Sequence, residues 1–338
     1  MRKNLLLVIA FLQGAIVLAQ DRVPRQDVSG FLPAERFMIP VSLAFSEDGH
    51  FLACASSRSS GGEAIAIWDF KKKESAALIE RGPQTQSVAF LKDGSLLAGA
   101  VGAGTTVEIW KRDPWSLRST LHETKDFCRF VHAGEKRLTA VCGSSVSQWD
   151  AKTLKFLETT PLPIEDIRVA TLSPDGALLA LGNAWGAILI FDLVKKKELT
   201  RWKAYEGPVY GLRFASDGKN LLSSHRRAPE ADAWQVGTWK KRFTFDFGRF
   251  GVSKIPDFAF VPKTDLVAVA GFGARIIPLF HLETGKRAFD LTIDDMHKGG
   301  DFCRLAITRD GRWCAAATFG GQFSYWDLEP VLAKLKTP

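Results

Sequence analysis

Five carboxylates of this chain could support metal binding or acid–base chemistry. Each stands near the start of an apolar strand; they are Asp126, Glu165, Asp166, Asp257 and Asp301. Carboxylates gathered around one point can coordinate a divalent cation, which can then polarise a substrate. These five do not align to one strand position, so the sequence favours solvated polar groups over a shared metal site.

Other residue types with catalytic potential show no productive spacing. Metal-ligand spacing is missing from the six histidines, which are His50, His122, His132, His225, His281 and His297. There is no Gly-x-Ser-x-Gly elbow, and Gly102-Ala103-Gly104 lacks the Lys-Ser/Thr pair that completes a phosphate-binding loop. We therefore predict no catalytic residue, no cofactor and no metal ligand.

The cysteines indicate core packing more than redox chemistry. They fall mainly within strands and are Cys54, Cys128, Cys142, Cys303 and Cys314. No Cys-x-x-Cys or haem-attachment motif occurs. Buried free thiols are the favoured interpretation. Cys128 and Cys142, in one predicted hairpin, are the only pair whose proximity the sequence indicates. The segments 126–129 and 301–304 share the pattern Asp-Phe-Cys-Arg, which places them at similar positions in two repeats.

The elements that must position these residues form a repeat. Seven apolar strands end in an aromatic residue, at intervals of 39 to 46 residues measured from the following position. The endings are Trp68-Asp69, Trp110-Lys111, Trp149-Asp150, Phe191-Asp192, Trp234-Gln235, Phe280-His281 and Trp326-Asp327. A period near forty with a Trp-Asp ending is typical of a four-stranded blade that repeats radially.

Turn chemistry within each period supports four antiparallel strands. Asp-Gly recurs between the first two apolar strands, at Asp48-Gly49, Asp93-Gly94, Asp175-Gly176, Asp217-Gly218 and Asp310-Gly311. Glycine adopts positive φ without steric cost, so Asp-Gly between alternating strands predicts a hairpin. Gly134 alone marks the third copy, and the sixth has no glycine there. Pro278 lies inside the third strand of that sixth copy and predicts a bulge, because proline cannot donate to a ladder.

On these residues the chain resembles the WD-repeat β-propeller family over about Pro33 to Pro330, as a divergent, exported member of bacterial type. The resemblance implies an all-β fold, a closed seven-bladed β-propeller of four-stranded antiparallel blades. The family's Gly-His positions read Arg81-Gly82, Glu206-Gly207 and Lys298-Gly299, and its buried Asp position reads Trp185 or Gly320. The usual hydrogen-bond network inside each blade is therefore expected to be mostly absent, which leaves apolar packing to hold the blades.

The first nineteen residues have the pattern of a secretory signal peptide. A basic start at Arg2-Lys3 precedes an apolar stretch from Leu5 to Leu18, and Ala19 ends a small-residue cleavage site. We expect a secreted or periplasmic protein with no membrane span after cleavage; an uncleaved N-terminal anchor is the alternative. Cleavage would lower the formal net charge of +8 by the two basic residues, to +6.

The predicted domains follow from the repeat and this leader. They are a signal peptide at 1–19, an N-terminal segment at 20–34, a propeller at 35–330 and a tail at 331–338. A segment beginning at Asp27 is available to pair in the last blade, which would remove an open edge. The tail from Val331 to Lys334 competes for the same place.

The two faces of such a propeller differ in composition. Lysine-rich turns at 71–73, 195–197 and 240–242 share a face with the Asp-Gly hairpins. Solubility and edge protection explain those lysines better than an anionic polymer or membrane surface does. The opposite face carries longer loops with aromatic and guanidinium side chains. The candidate protein-binding residues there are Trp185, Trp202, Tyr205, Arg226 and Arg227.

Two functional classes remain open at this level. The first is a non-catalytic scaffold, a monomeric propeller that binds an unidentified protein partner. The alternative is an exported propeller enzyme of the lactonase or quinone-dependent dehydrogenase type, with a metal or cofactor in its funnel. The absence of a clustered ligand set favours the scaffold. Nucleic acid is not an expected partner, because the lysine-rich turns lack the interleaved aromatic residues that stack on bases.

Overall fold

The structure is a computed structural model that describes most of the chain between Arg22 and Lys336. The described residues are 22–23, 26–27, 38–58, 63–81, 85–92, 94, 96–101, 106–121, 126, 128–225, 228–248, 254–272, 276–292, 302–318 and 323–336. The predicted signal peptide at 1–19 lies outside them. No helix within these ranges is long and apolar enough to cross a bilayer.

The strands form consecutive up-and-down sheets, numbered here in chain order. Sheet 1 contains β3 (Met38–Phe45), β4 (Phe51–Arg58), β5 (Glu63–Asp69) and β6 (Glu74–Arg81). Sheet 2 contains β7 (Ser87–Phe90), β8 (Leu96–Val101), β9 (Thr106–Lys111) and β10 (Ser116–Leu121). Sheet 3 contains β11 (Cys128–Ala133), β12 (Arg137–Cys142), β13 (Ser145–Asp150) and β14 (Phe156–Pro161).

The next two sheets repeat the pattern. Sheet 4 contains β15 (Ile167–Leu172), β16 (Leu178–Asn183), β17 (Ala187–Asp192) and β18 (Lys197–Lys203). Sheet 5 contains β19 (Val209–Phe214), β20 (Asn220–His225), β21 (Glu230–Gln235) and β22 (Lys241–Asp246).

The last two sheets each take one strand from the N-terminal segment. Sheet 6 contains β23 (Lys254–Phe260), β24 (Leu266–Phe272), β25 (Ile276–His281), β26 (Arg287–Thr292) and, beside β26, β1 (Arg22–Val23). Sheet 7 contains β27 (Phe302–Ile307), β28 (Trp313–Thr318), β29 (Phe323–Asp327) and, beside β29, β2 (Gln26–Asp27). The chain continues into helix α1 (Glu329–Lys336), which includes the tail residues 331–334.

The all-β propeller of four-stranded antiparallel blades is confirmed, and the prediction of seven such blades needs a correction. Among the described residues six sheets have four strands, and sheet 6 has five. The fifth strand arises because Arg22 and Val23 pair in parallel with Asp290 and Leu291, at the outer edge of β26. Pairing there covers backbone groups that an edge strand would leave open.

The innermost strands contact one another in cyclic order, which places a channel at the centre of the molecule. The order of contact is β3, β7, β11, β15, β19, β23 and β27, and β27 returns to β3. Side-chain hydrogen bonds link neighbouring inner strands. Ser42 Oγ accepts from the backbone N–H of Val88, at 3.2 Å. Arg304 Nε donates to the carbonyl oxygen of Val41, at 2.6 Å.

The Asp-Gly hairpins form for a local reason that recurs in sheets 1, 4 and 7. In sheet 1, Ser46 Oγ donates to Asp48 Oδ1 at 2.6 Å and accepts from Phe51 N–H at 2.9 Å. Gly49 lies between these partners with φ of 66°. Positive φ costs glycine little, so this sequence closes the turn and aligns the two strands.

The repeated aromatic residues close the core between neighbouring sheets. Trp149 and Trp326 have no exposed surface, and Phe280 has almost none. Burial of one such side chain contributes about 1.5–3 kcal/mol to folding. Apolar packing therefore holds the sheets, as the sequence predicts. Hydrogen bonding of the indoles varies: Trp326 Nε1 donates to the carbonyl oxygen of Thr292 at 3.0 Å, whereas Trp149 Nε1 has no acceptor among the described residues.

Two expectations about local chemistry are wrong. Cys128 and Cys142 form a disulfide, not two free thiols, because β11 and β12 place them directly opposite each other. Cys54 and Cys314 are buried free thiols as predicted. Pro278 does not sit at a bulge either. The β25–β26 irregularity lies between Leu279 and Phe280, and the β24–β25 pairing simply ends at Leu279, next to the proline that lacks an N–H.

Candidate functional site

Among the candidate residues that the structure describes, Trp185 is the most exposed to solvent. It lies in the turn between β16 and β17 on the long-loop face, the end of the ring opposite the Asp-Gly hairpins, and is 65% exposed. Asn183 Oδ1 accepts from the backbone N–H groups of Trp185 at 3.1 Å and Ala187 at 2.8 Å, which builds the turn. The indole Nε1 donates to Asp166 Oδ2 at 3.1 Å. An exposed side chain is thus held in a fixed orientation.

The turn that carries Trp185 is tied to the start of the next sheet. The carbonyl oxygen of Gly186 accepts from the N–H groups of Ala204 at 2.8 Å and Tyr205 at 3.1 Å. Gly186 has φ of 85°, and a Cβ added there would lie 1.9 Å from the Tyr205 carbonyl oxygen. Only glycine fits this close approach between backbones. The position of Trp185 therefore depends on the packing of sheets 4 and 5.

Trp202 and Tyr205 lie mainly inside the contact between sheets 4 and 5. The Trp202 ring packs on Trp234 at 5.0 Å between centroids and on Trp239 at 6.2 Å. Tyr205 is buried, and burial raises the pKa of its phenol well above the ordinary value. Its hydroxyl is 2.6 Å from Ser223 Oγ, which also accepts from Trp234 Nε1 at 2.8 Å. These contacts give both residues a role in packing.

The remaining candidates, Arg226 and Arg227, lie outside the described residues. The structure therefore brings Trp185 to the surface and packs Trp202 and Tyr205 beneath the same face. Whether the five contact a partner stays a prediction.

A groove beside Trp185 was not predicted from the sequence. It has a volume of about 460 Å³ and lies between the ends of sheets 3 and 4, where Leu162, Pro163 and Glu165 also line it. Arg201 Nη2 donates to the carbonyl oxygen of Pro163 at 2.6 Å, which ties the connection between sheets 3 and 4 to β18. The Pro161-Leu162-Pro163 run is the sequence signal for this rigid connection, because proline restricts φ.

The candidate carboxylates that the structure describes do not form one site. Asp257 lies in the central channel, where Oδ1 accepts from Arg213 at 3.0 Å and Oδ2 accepts from Leu305 N–H at 3.0 Å. Asp166 holds the Trp185 indole, and Asp126 is exposed beside β11. Asp301 lies outside the described residues. Within the part of the chain that the structure describes, no three acidic, histidine or cysteine side chains come close enough to hold a metal ion.

The channel contains basic residues that the sequence patterns did not indicate. Arg129, Arg168, Arg213 and Arg304 line a cavity of about 230 Å³ together with Asp257. The available signal was the match between the segments 126–129 and 301–304. The structure offsets these two segments by one residue. The β11–β12 ladder skips Arg129, whereas the β27–β28 ladder skips Cys303.

The lysine-rich turns lie on the face of the Asp-Gly hairpins, as expected. Lys196 and Asp175-Gly176 border one cavity of about 650 Å³ at that end of sheet 4. Lys196 pairs with Glu158, and Arg137 pairs with the same carboxylate at 3.3 Å. Exposed pairs of this kind contribute at most about 1 kcal/mol each. Their arrangement accords with solubility.

Comparison with known proteins shows similarity to WD-repeat proteins. It is 24% identical to WD repeat-containing protein 1 of Xenopus tropicalis over 305 residues, which are 86% of the chain and 48% of that protein. It is 27% identical to SEC12-like protein 2 of Arabidopsis thaliana over 197 residues, 54% of the chain and 48% of the relative. It is 22% identical to the serine-threonine kinase receptor-associated protein of Gallus gallus over 210 residues, which are 59% of the chain and 57% of that protein.

A solved structure has the same fold. One chain of the crystal structure of the mitotic checkpoint complex superposes with a TM-score of 0.70 over 90% of both chains, at 15% identity. The chain spans roughly half the length of the three relatives described above. No family model matches the chain. In its repeats, its fold and these relatives, the chain is similar to WD-repeat β-propellers.

Proposed function

We propose that this propeller is a non-catalytic scaffold that binds a protein partner through its long-loop face, with Trp185 at the centre of the contact. The observation that carries the proposal is the exposed indole of Trp185, which Asp166 holds at 3.1 Å. Large exposed aromatic residues dominate the affinity of many protein interfaces, and a preorganised side chain loses little entropy on binding.

The groove beside Trp185 supports this choice of face. Pro163 and Glu165 line it and are exposed, whereas Leu162 and Ile164 give it a buried apolar floor. A partner side chain that enters the groove would contact the indole and these residues together. Relatives point the same way: one is named for its association with a serine-threonine kinase receptor, and the structural neighbour is part of a multiprotein complex.

The proposed scaffold is a closed ring, and the proposed protein is exported. In the proposed assembly the five-stranded sheet 6 completes a closed ring with the six four-stranded blades, so the scaffold has seven positions around its channel. The proposed location is the periplasm or the extracellular space, because residues 1–19 have the pattern of a secretory leader. N-terminal sequencing of native protein tests this, and a start at or near Gln20 is expected.

Partner capture tests the proposed face. The protein would be immobilised and exposed to an extract of the native envelope, with Trp185→Ala and Val194→Ala compared with wild type. Val194 is the matched control, since it is an apolar residue that is 75% exposed in the turn between β17 and β18, at the Asp-Gly face of the same sheet. Trp185→Ala should weaken capture of the same protein by about 2 kcal/mol, and Val194→Ala should leave it unchanged. Equal capture by all three proteins would refute the proposed face.

A further inference from the structure

One cavity in the wall of the central channel is rich in positively charged residues. Four guanidinium groups line it, from Arg129, Arg168, Arg213 and Arg304, and among the described residues that line this cavity Asp257 is the only carboxylate. Arg213 and Asp257 form an ion pair at 3.0 Å. Counted over the described lining residues alone, the formal charge is +3, from four arginines and one aspartate.

Arg129 and Arg168 occupy equivalent positions in sheets 3 and 4, where a β-bulge interrupts the regular ladder. Cys128 and Phe130 pair with consecutive residues of β12, so Arg129 is the extra residue of a β-bulge. Ile167 and Val169 pair in the same way with β16, which makes Arg168 the extra residue there. Bulges redirect side chains and are concentrated at functional sites. Tyr210, skipped between Val209 and Gly211, is the equivalent residue of sheet 5 and lines the same cavity.

The electrostatic state of this pair accords with a site built for negative charge. Burial lowers the pKa of Arg129, and the neighbouring charge of Arg168 lowers it further, while Asp166 acts in the opposite direction. Both arginines are exposed at the wall of one cavity, where guanidinium groups of like charge repel each other. An anion between them would relieve that repulsion.

We propose that the channel binds an oxyanion, a phosphate- or carboxylate-type group, between Arg129 and Arg168. Guanidinium groups present paired N–H donors in a plane that matches the oxygens of both groups. The cavity volume of about 230 Å³ leaves room for such an anion and several waters. Arg304 and Tyr210 line the same cavity, and their guanidinium and hydroxyl groups offer further hydrogen-bond donors. This inference does not depend on the protein-binding role proposed for Trp185.

The thermal-unfolding midpoint tests the proposal, because a ligand that binds only the folded state raises it. Wild type would be titrated with sodium phosphate and with sodium acetate, against sodium chloride at matched low ionic strength. Phosphate, acetate or both should raise the midpoint saturably beyond chloride. Arg129→Gln and Arg168→Gln should each raise the half-saturating concentration at least about tenfold, as expected for loss of a charged hydrogen-bonding partner.

Arg118→Gln is the matched control, because Arg118 is exposed on the outer strand β10 and its replacement changes the net charge by the same amount. It should bind the anion as wild type does. A response to phosphate alone assigns the site to phosphoryl groups, and a response to acetate as well extends it to carboxylates. No response beyond chloride, or equal weakening in the Arg118 variant, would overturn the proposal. If Arg129→Gln fails to fold, Arg168→Gln decides, since no described hydrogen bond of the fold involves the Arg168 guanidinium.

Discussion

The indole Nε1 of Trp185 donates to Oδ2 of Asp166 across 3.1 Å, so an exposed aromatic residue on one turn is fixed by a carboxylate on the preceding connection. Asp166 has φ of 51°, in the left-handed region that Asp and Asn tolerate better than most residues. The connection between sheets 3 and 4 and the turn at the end of sheet 4 thus act as one unit around Trp185.

Asp166 should be necessary for the fixed orientation of the indole. Asp166→Ala removes the acceptor and should expose the Trp185 indole N–H to rapid exchange with solvent. Asp166→Asn retains an oxygen acceptor and the tolerance for positive φ, so it should preserve most of the protection. The resolved indole resonance of Trp185 in a ¹⁵N–¹H NMR spectrum measures both. Slow exchange in the alanine variant would show that the hydrogen bond does not hold the ring.

Gly186 should tolerate no side chain, in contrast to a second glycine with similar φ. Gly186 and Gly176 have φ of 85° and 72°, but an added Cβ meets the Tyr205 carbonyl oxygen only at Gly186 and has open space at Gly176. We expect Gly176→Ala to lower the free energy of unfolding by about 1 kcal/mol. Gly186→Ala should cost roughly 3 kcal/mol or more, because backbone must move. Denaturant unfolding of the two variants measures the difference, and equal costs would contradict the steric argument.

The sequence was sufficient to predict features that depend on short stretches of chain. Asp48 closes the turn with Ser46, two residues earlier, and Gly49 supplies the positive φ, so the hairpin follows from local chemistry. The buried Trp149 and Trp326 likewise follow from their place at the end of an apolar strand. Each repeat carries these signals independently, which is why a period could be counted.

Features that depend on distant residues were not predictable in the same way. Nothing in Arg22-Val23 indicates that it pairs with β26, which lies more than 260 residues further along the chain. The Cys128–Cys142 disulfide required the register of β11 against β12, which the sequence left open. Tyr205 has the polar tip of a contact residue, and only its position beside Ser223 shows that the hydroxyl faces inward. The bulges that bring Arg129 and Arg168 into one cavity also arise from strand register.

The disulfide should contribute to the stability of sheet 3. It closes a loop with a sequence separation of 14, for which the restriction of the unfolded chain is worth about 3 kcal/mol. The double variant Cys128→Ala/Cys142→Ala should lose stability by that order and become insensitive to reductant. Chemical denaturation with and without reductant tests this. The Cys54→Ala variant is the control, because it should keep the full response to reductant; stability of wild type that reductant leaves unchanged would contradict the prediction.

His132 should make stability depend on pH. Burial, with a smaller effect from Arg213, lowers its pKa from 6.5 to about 4. The unfolded chain therefore takes up a proton between those values while the folded protein does not. Stability is complete above pH 6.5 and falls as the pH drops towards 4, by at most about 3 kcal/mol, which is the free-energy equivalent of this pKa difference. The pH profile of unfolding should be flatter in His132→Gln, and an NMR titration that gives His132 an ordinary pKa would refute the assignment.

Tyr205 and Trp185 should separate stability from binding. Tyr205→Phe removes a buried hydroxyl that lies 2.6 Å from Ser223 Oγ, so it should lower the free energy of unfolding by about 1 kcal/mol. Partner capture should be unaffected, because the ring still fills the same space beneath the long-loop face. Trp185→Ala should do the reverse, since its exposed side chain contributes little to the core but much to the proposed contact. Tyr210→Phe removes a hydroxyl from the half-buried channel wall, so it controls for the loss of a tyrosine hydroxyl alone and should change neither property.

Denaturant unfolding and capture from envelope extract, measured on the same preparations, distinguish the outcomes. If Tyr205→Phe weakened capture and Trp185→Ala did not, the contact surface would have to be placed away from Trp185.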